Sequence, residues 1–327
     1  MQKLDKSDLA ALLKGASILT TGGGLCFADQ MRSLGKYAEM EIALCGLEAF
    51  GPEDVLVTAA EVGPADAPEI GKSAVLPRML DLWKRMTGQT VKGVYPVEIG
   101  QEMIVLETAF HMGVPVADFD AAGGRAVPLV DISSFSLIGL DYSLAPMVVA
   151  TDRGDIIAIE TDLPPQRAEE MLRTLTALSR QRIVYFIGAP VKAGALQKTG
   201  VANASLTAAL AYGRVADYAA LSAALDPVLT LHGRVTSREE IDRAGFNCFH
   251  AVFRNDADGQ DYRLFILNEV LFIKDAQGKV CAAAPDKILL LDREGLKGRS
   301  SAEVLEGAAT TLMVVRADPL WQTPQAQ

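Results

Sequence analysis

Three carboxylates directly follow two short apolar runs in the first half of the chain. Glu98 follows the run 94–97, and Asp118 and Asp120 follow the run 114–117. Carboxylates serve as general bases toward water and as oxygen ligands of divalent metal ions. Because the same pattern occurs twice in one short segment, it predicts a shared site.

The elements around these carboxylates favour their convergence. A helix-like segment at 101–111 separates the two apolar runs, so the order is strand, helix, strand. A right-handed crossover brings both strand ends to the same edge of a parallel sheet, and ligands of open α/β sheets bind outside the carboxyl ends of the strands. We therefore expect the three carboxylates to meet at that edge, with Arg125 close behind them on the turn 123–124.

Glu98 is the first candidate for a general base, because neighbouring carboxylates raise a carboxyl pKa toward neutrality. Asp118 and Asp120 either raise the pKa of Glu98 or bind a divalent metal ion that activates water. Arg125 is suited to bidentate pairing with a substrate carboxylate. A structural alternative stays open: Glu98 and Asp118 cap the next elements, Asp120 holds its turn, and Arg125 is their salt-bridge partner.

An early glycine loop precedes a predicted helix that begins at about Ala28. Its three glycines, Gly22, Gly23 and Gly24, allow close backbone approach, and the helix N-terminus offers unpaired N–H groups, so the loop could bind an anion or form an oxyanion pocket. No Gly-Lys-Ser/Thr follows, so this is not a Walker loop. A tight turn that lets a helix pack closely is the alternative.

Cys26 lies in the same loop and opens a covalent route. A thiol at a helix N-terminus has a lowered pKa, and its thiolate could attack a ring carbon. The alternative is a small buried hydrophobic side chain.

The predicted substrate-binding set also includes Glu69, in the polar turn 66–69, and the pair Asn268 and Glu269 in the second half. The alternative for this pair is a simple strand edge. The three histidines are scattered, without the short spacing of a zinc site. The cofactor therefore stays unassigned, with a divalent metal ion as the candidate.

Composition limits the partners of the chain. Its 327 residues include 31 Lys and Arg against 41 Asp and Glu, which gives a net charge of −10. This balance argues against binding to nucleic acid or an anionic membrane, so we expect a small-molecule substrate. We also expect a homo-oligomer. The four cysteines show no paired spacing and the chain starts without a leader pattern, so we expect a cytoplasmic protein without a membrane anchor.

The order of elements predicts an α/β protein with two domains. Apolar strands separated by helices indicate an N-terminal α/β layered domain at 1–162, with a mainly parallel sheet that carries the glycine-rich loop and the acidic cluster. A helix pair and then short alternating segments with turn signals indicate a second domain at 163–327, a β-rich sandwich or barrel.

Seven segments stand in an order and spacing that resemble one known family. They are GASILTTGGG, YPVEIG, VPVADFDAAGGRAVP, DISSF, KTGVANASLTAALAYGR, LNEVLFIKDAQGKVCAAAPDKILLLD and ADPLWQTP. Over nearly the whole chain they are similar to the DUF917 family, the S-methyl thiohydantoin desulfurase-like proteins associated with hydantoinase/oxoprolinase enzymes. Two positions depart from the family pattern: Cys26 stands within a loop that usually continues as Gly-Asp-Pro, and Gln101 stands where glycine is common.

The resemblance implies small five-membered cyclic ureides or their sulfur analogues as substrates. It predicts a hydrolytic desulfurase that converts thiohydantoin or S-methyl thiohydantoin to hydantoin plus sulfide or methanethiol. An alternative is a non-catalytic accessory partner of a hydantoinase/oxoprolinase. A third hypothesis, a nucleotide-binding enzyme, would use the loop at Gly22.

Overall fold

The computed structural model describes residues 1–65, 72–129, 140, 142–199, 204–243 and 245–322. Its helices lie before residue 226, apart from short 3-10 turns. They are α1 Lys6–Leu19, α2 Phe27–Gly35, α3 Lys72–Thr87, α4 Glu102–Met112, α5 Pro165–Thr176, α6 Ala193–Thr199, α7 Ser205–Gly213 and α8 Tyr218–Leu225. Its strands are β1 Gln2–Leu4, β2 Ile42–Cys45, β3 Val55–Val62, β4 Val91–Tyr95, β5 Val116–Ala117, β6 Met147–Thr151, β7 Ile156–Ile159, β8 Val184–Lys192, β9 Leu229–Glu240, β10 Cys248–Asn255, β11 Asp261–Leu267, β12 Glu269–Lys274, β13 Val280–Ala283, β14 Lys287–Asp292, β15 Lys297–Gly298 and β16 Ala309–Val315.

The first sheet has the strand order β1-β2-β5-β4-β3-β8-β6-β7 within the part of the chain that the structure describes. The four neighbours β2, β5, β4 and β3 run parallel. Since β6 is antiparallel to β8, and β8 to β3, β6 shares the direction of these four strands. Five of these eight strands therefore point the same way, which confirms the predicted mainly parallel sheet.

The central strands are buried on both faces. Along β3, Val57 and Ala59 belong to one hydrophobic core, whereas Leu56 and Ala60 belong to another. This alternation follows from the two-residue period of a strand, and strands covered on both faces read as nearly continuous apolar runs. The layered α/β arrangement predicted for the first half is confirmed.

The first sheet also receives a strand from beyond Asp162. β8 pairs antiparallel with both β3 and β6. The sheet is therefore completed by residues that follow the proposed boundary. The division of the chain at Asp162 stays a prediction.

The second sheet is antiparallel throughout the described strands, in the order β13-β12-β11-β10-β9-β16-β14-β15. Its inward side chains, including Phe249, Phe253 and Leu290, form a separate core. Besides their ladder neighbours, β12 and β13 contact β14, so the sheet curls back on itself. The predicted β-rich second domain is confirmed, in the barrel-like form of the two alternatives.

Helix α1 connects the two halves. Asp5 caps its N-terminus through a capping box with Asp8. Further along, Gly15 of α1 lies directly against the backbone of Ala209 in α7, and Gly298 N–H of β15 donates to Ser17 Oγ at 2.9 Å. Helix α1 thus contacts α7 on one side and β15 of the second sheet on another. No helix in the described ranges is both long and apolar enough to cross a membrane.

Candidate functional site

A cavity lies between the carboxyl ends of β3 and β4 and the turn between β11 and β12. Its lining residues include Gly24, Glu61, Gly63, Glu98, Gln101, Val127, Arg173, Asn268 and Glu269. The cavity volume is ≈ 50 Å³. One water molecule needs a cavity volume of roughly 10–15 Å³. The cavity therefore admits a small polar group or the edge of a small ring, not a nucleotide.

Glu98 lies at the cavity as predicted. Its Oε2 accepts a hydrogen bond from Val127 N–H at 2.7 Å, and its Oε1 accepts one from Gln101 Nε2 at 3.2 Å. Burial raises the pKa of this carboxyl to about 7, although the two donors lower it. A carboxylate poised near neutrality is suited to act as a general base.

Gln101 holds Glu98 in place, a role that the sequence did not reveal. Its Oε1 accepts from Glu61 N–H at 2.9 Å, and its Nε2 donates to Glu61 O at 3.2 Å. These two bonds fix both ends of the amide against β3. The remaining Nε2 hydrogen is thereby directed at Glu98.

Glu269 is the second carboxyl group at the cavity. It is 2% exposed, and its buried Oε2 has no hydrogen-bond partner within the described part of the chain. Burial and the nearby charge of Glu98 raise the pKa of Glu269 well above its usual value, although Arg125 opposes this shift. The two glutamates therefore meet across the domain interface, far apart in sequence.

Arg125 stands behind the glutamates and does not line the cavity. Its Nε donates to Ala126 O at 2.9 Å, and its Nη1 donates to Pro285 O. Burial lowers its pKa, while Glu269 and Glu98 raise it. This geometry therefore does not support direct pairing of Arg125 with a substrate carboxylate. The positive charge of Arg125 instead offsets the negative charge of the two buried glutamates.

Arg173 is a cavity-lining residue that sequence reasoning missed. Its Nε donates to Glu169 at 2.6 Å, while its Nη atoms donate to the carbonyls of Pro128 at 2.9 Å and Gly245 at 2.8 Å. The i, i+4 spacing of Glu169 and Arg173 was the available signal, but such pairs usually lie on solvent-facing helix surfaces. Here the guanidinium reaches the cavity wall and holds two loops around it.

Asn268 lines the cavity, but its side-chain amide forms hydrogen bonds within the protein. Its Oδ1 accepts from Ala65 N–H at 3.1 Å and from Asn247 N–H at 2.9 Å. Its backbone has φ +58°, a left-handed conformation that asparagine tolerates. Asn268 therefore positions the turn that precedes Glu269, whereas its predicted contact with substrate stays a prediction.

Asp118 and Asp120 do not reach the cavity, so the predicted convergence of three carboxylates is wrong for these two. Asp118 accepts hydrogen bonds from Leu206 N–H at 3.0 Å and Thr207 N–H at 3.1 Å, which caps α7. Asp120 accepts from Ala122 N–H and Gly124 N–H, both at 2.8 Å. Both residues fit the structural alternative, because their carboxylate oxygens accept hydrogen bonds from backbone N–H groups near the end of β5.

The glycine loop serves domain packing. Gly23 N–H donates to Thr20 O at 2.9 Å, so this N–H is not an oxyanion donor. Thr21 O accepts from Val270 N–H at 2.8 Å, and Gly22 O accepts from Ser301 N–H at 2.6 Å. The loop is thereby joined to the second sheet, a contact that neither alternative predicted, while Gly24 lines the cavity.

Cys26 occupies the N-cap of α2, but its thiol is not activated. Its Sγ donates to Asp29 Oδ2 at 2.9 Å. Burial raises the pKa of the Cys26 thiol to about 11, and the hydrogen bond to Asp29 adds to this shift. The expected lowering of the pKa is wrong, because burial, and after it the Asp29 carboxylate, disfavour the thiolate.

We expect Cys26→Ser to keep the turnover of the wild-type chain, within about a factor of three, because a serine hydroxyl preserves the bond to Asp29 and no thiolate is needed. Steady-state kinetics of the activity proposed in the next subsection test this expectation. A loss of about 10²-fold or more would restore the covalent route.

Glu102 lies beside the site at the start of α4. Both of its oxygens accept from Gly100 N–H at 3.0 Å. Burial raises the pKa of Glu102 to about 8, and Asp120 and Glu98 add to this shift. Between its unfolded and folded pKa values the folded chain binds more protons, so this group stabilises the fold at low pH and loses that contribution as the pH rises through about 8.

Glu102→Gln should therefore gain stability relative to the wild type when the pH is raised from about 5 to about 9, since glutamine never ionises. Guanidinium unfolding of both chains at the two pH values measures this change. A difference between the two chains that does not vary with pH would contradict it.

Metal ligands are not grouped in the described ranges: no cluster of three or more His, Cys, Asp or Glu side chains there could hold a metal ion. The pairing of Asp118 and Asp120 as metal ligands is therefore not supported by their positions.

Glu69 lies outside the described residues.

A larger cavity, of ≈ 280 Å³, lies on the second sheet near His232, Asp292 and Arg299. Asp292 there lies 3.9 Å from both Lys297 and Arg299, and His232 contacts Thr311 at 2.9 Å. None of the predicted site residues that the structure describes lines this cavity. The smaller cavity is the candidate site because it holds the buried glutamates.

Comparisons with known proteins cover the whole chain. The family described as S-Me-THD-like, N-terminal domain, matches residues 7–161, and the S-Me-THD-like, C-terminal domain, matches residues 164–327. No curated protein matches the chain. The X-ray crystal structure of a protein from Chromobacterium violaceum has a TM-score of 0.78 and 20% sequence identity, over 100% of this chain and 94% of that chain. At this identity the likeness shows a shared fold.

Proposed function

The chain belongs to the S-Me-THD-like family, and from that premise we propose that it is a hydrolytic desulfurase. The proposed substrate is a thiohydantoin-type ring, either the 2-thione or its S-methyl form. The products are the hydantoin and hydrogen sulfide or methanethiol. The observation that carries the proposal is Glu98, a buried carboxylate with a pKa of about 7 at the wall of a small interdomain cavity.

The chemistry needs a base at the position of Glu98. Water attacks C2 of the ring while the base accepts one of its protons. The tetrahedral centre then loses its sulfur substituent, because a thiolate is a better leaving group than an amide nitrogen, so the ring survives. Among the groups that face the cavity, Glu98 combines the required pKa with two donors that hold its carboxylate in one orientation.

The size of the cavity supports a small ring as the ligand. Its volume suits the edge of a five-membered ring that carries the C2 substituent. The loops at 63–65 and 127–128 line the same wall. A nucleotide-binding enzyme is disfavoured, since the glycine loop is occupied by contacts with the second sheet.

Incubation of the full chain with S-methyl thiohydantoin and with 2-thiohydantoin tests the proposal. We expect methanethiol and sulfide, respectively, and the intact hydantoin by mass spectrometry. Hydantoin itself is the control for ring opening. If neither sulfur product forms, with or without added divalent metal ions, the desulfurase proposal fails. An accessory role beside a hydantoinase/oxoprolinase would then be tested by adding that enzyme.

A further inference from the structure

Glu269 presents an unusual carboxyl group to the cavity. It is 2% exposed, and its buried Oε2 has no hydrogen-bond partner among the residues that the structure describes. A buried polar atom without a partner costs free energy. Such a group in a native fold calls for an explanation, and its place on the wall of the cavity that holds Glu98 supplies one.

The fold brings Glu269 to this place by a close approach to the glycine loop. A Cβ at Gly23 would lie 1.9 Å from Glu269 Oε1, so no other residue fits there while the carboxyl keeps its position. The bond from Val270 N–H to Thr21 O, at 2.8 Å, holds the two segments together next to this contact. The glycine loop therefore serves to seat Glu269.

The hydrogen bonds distinguish the two glutamates. Both oxygens of Glu98 accept from fixed donors, Val127 N–H and Gln101 Nε2, and donors of this kind favour the ionised carboxylate. Oε2 of Glu269 receives no donor from the described residues, which favours a carboxyl group that keeps its proton, although a bond from its own backbone N–H lowers the pKa of the group. Two carboxyl groups in one buried site do not both ionise readily, so the first to ionise is Glu98.

We propose that Glu269 is the general acid that protonates the departing sulfur, while Glu98 is the general base; this assignment rests on the proposed desulfurase function. As water attacks C2 of the S-methyl ring, the C2–O bond forms, Glu98 accepts one proton, and the π electron pair of C2=N3 moves to N3. N3 then receives the proton held by Glu98.

In the second step the C2–S bond breaks and its electron pair goes to sulfur. Sulfur receives the Glu269 proton and leaves as methanethiol, while the C2 hydroxyl becomes a carbonyl and returns its proton to Glu269. One water is consumed, and both carboxyl groups end as they began. Neither step needs an oxidant or a reductant.

The test compares two substrates that differ in how much they need the acid. Methanethiolate is a poor leaving group without a proton, whereas 4-nitrothiophenolate departs without one. We expect Glu269→Gln to lower kcat for S-methyl thiohydantoin by about 10²-fold but to alter kcat for S-(4-nitrophenyl) thiohydantoin by less than about threefold. Glu98→Gln should lose activity on both substrates. An equal loss of Glu269→Gln on both substrates, or no loss on either, would overturn the assignment.

A second measurement needs no variant and applies even if Glu269→Gln fails to fold. The pH profile of the wild-type chain should fall at alkaline pH with S-methyl thiohydantoin, as the acid loses its proton, and should not fall with the 4-nitrophenyl substrate. The same alkaline fall on both substrates, or on neither, contradicts the acid role. A wild-type chain inactive on both substrates would instead reject the desulfurase function itself.

Discussion

Glu98→Gln is expected to lower kcat for C–S hydrolysis by about 10²-fold or more, because glutamine cannot accept the proton of the attacking water. The substitution keeps the shape of the side chain, and its amide oxygen can still accept from Val127 N–H, whereas its NH2 group faces the Gln101 Nε2 donor. We therefore expect the fold to persist with a modest loss of stability. Methanethiol release, measured beside the thermal unfolding of the same sample, separates lost chemistry from lost structure.

Glu53→Gln is the matched control for this prediction. Glu53 is an exposed glutamate that pairs with Lys192 at 2.7 Å, remote from the cavity lining. Surface substitutions of this kind usually change stability by less than about 0.5 kcal/mol, and activity should be unchanged. Wild-type activity in Glu98→Gln would reject the role of Glu98 as base.

The pH dependence of the wild-type chain gives the same prediction a second readout. A base works in its deprotonated form, and burial raises the pKa of Glu98 to about 7. We therefore expect kcat/KM to rise with pH through about 7. The residual activity of Glu98→Gln should lack this rise.

Gly15→Ala should lower the free energy of unfolding by about 3 kcal/mol or more. A Cβ at Gly15 would lie 1.6 Å from the carbonyl oxygen of Ala209, and a backbone oxygen cannot move aside as a flexible side chain can. Helices α1 and α7 would have to separate. Because α7 also holds Asp118 through its N-terminal N–H groups, the separation would reach the turn beside the site.

Guanidinium unfolding measures this loss, with Gly35→Ala as the matched control. Gly35 also lies in a helix, but a Cβ there meets no atom within 4 Å. Alanine is preferred over glycine in helices by about 0.5–1 kcal/mol, so the control should be as stable as the wild type or more stable. Equal stability of Gly15→Ala and Gly35→Ala would show that the α1–α7 contact is looser than described.

The sequence determined the main elements because their apolar residues repeat with the period of each structure. The helix at 102–112 lies within one residue of the predicted segment 101–111, and antiparallel strands follow residue 229 as predicted, whereas the strand at 91–95 begins and ends earlier than the predicted run 94–97. The family resemblance is confirmed by matches over both domains. Glu98 was found because it follows a buried strand whose carboxyl end opens toward a ligand, a consequence of topology that the strand, helix, strand order already contains.

Only the tertiary structure decided which side chains join Glu98. Asp118 and Asp120 share its local pattern, yet their carboxylate oxygens accept hydrogen bonds from nearby backbone N–H groups and do not reach the cavity. The cavity is instead lined by Gln101, Arg173 and Glu269, because the second sheet packs against the glycine loop and α5 turns one face inward. Periodicity in the sequence reports which face of an element is buried. It does not report which distant element covers that face, and at this site the covering element supplies the second carboxyl group.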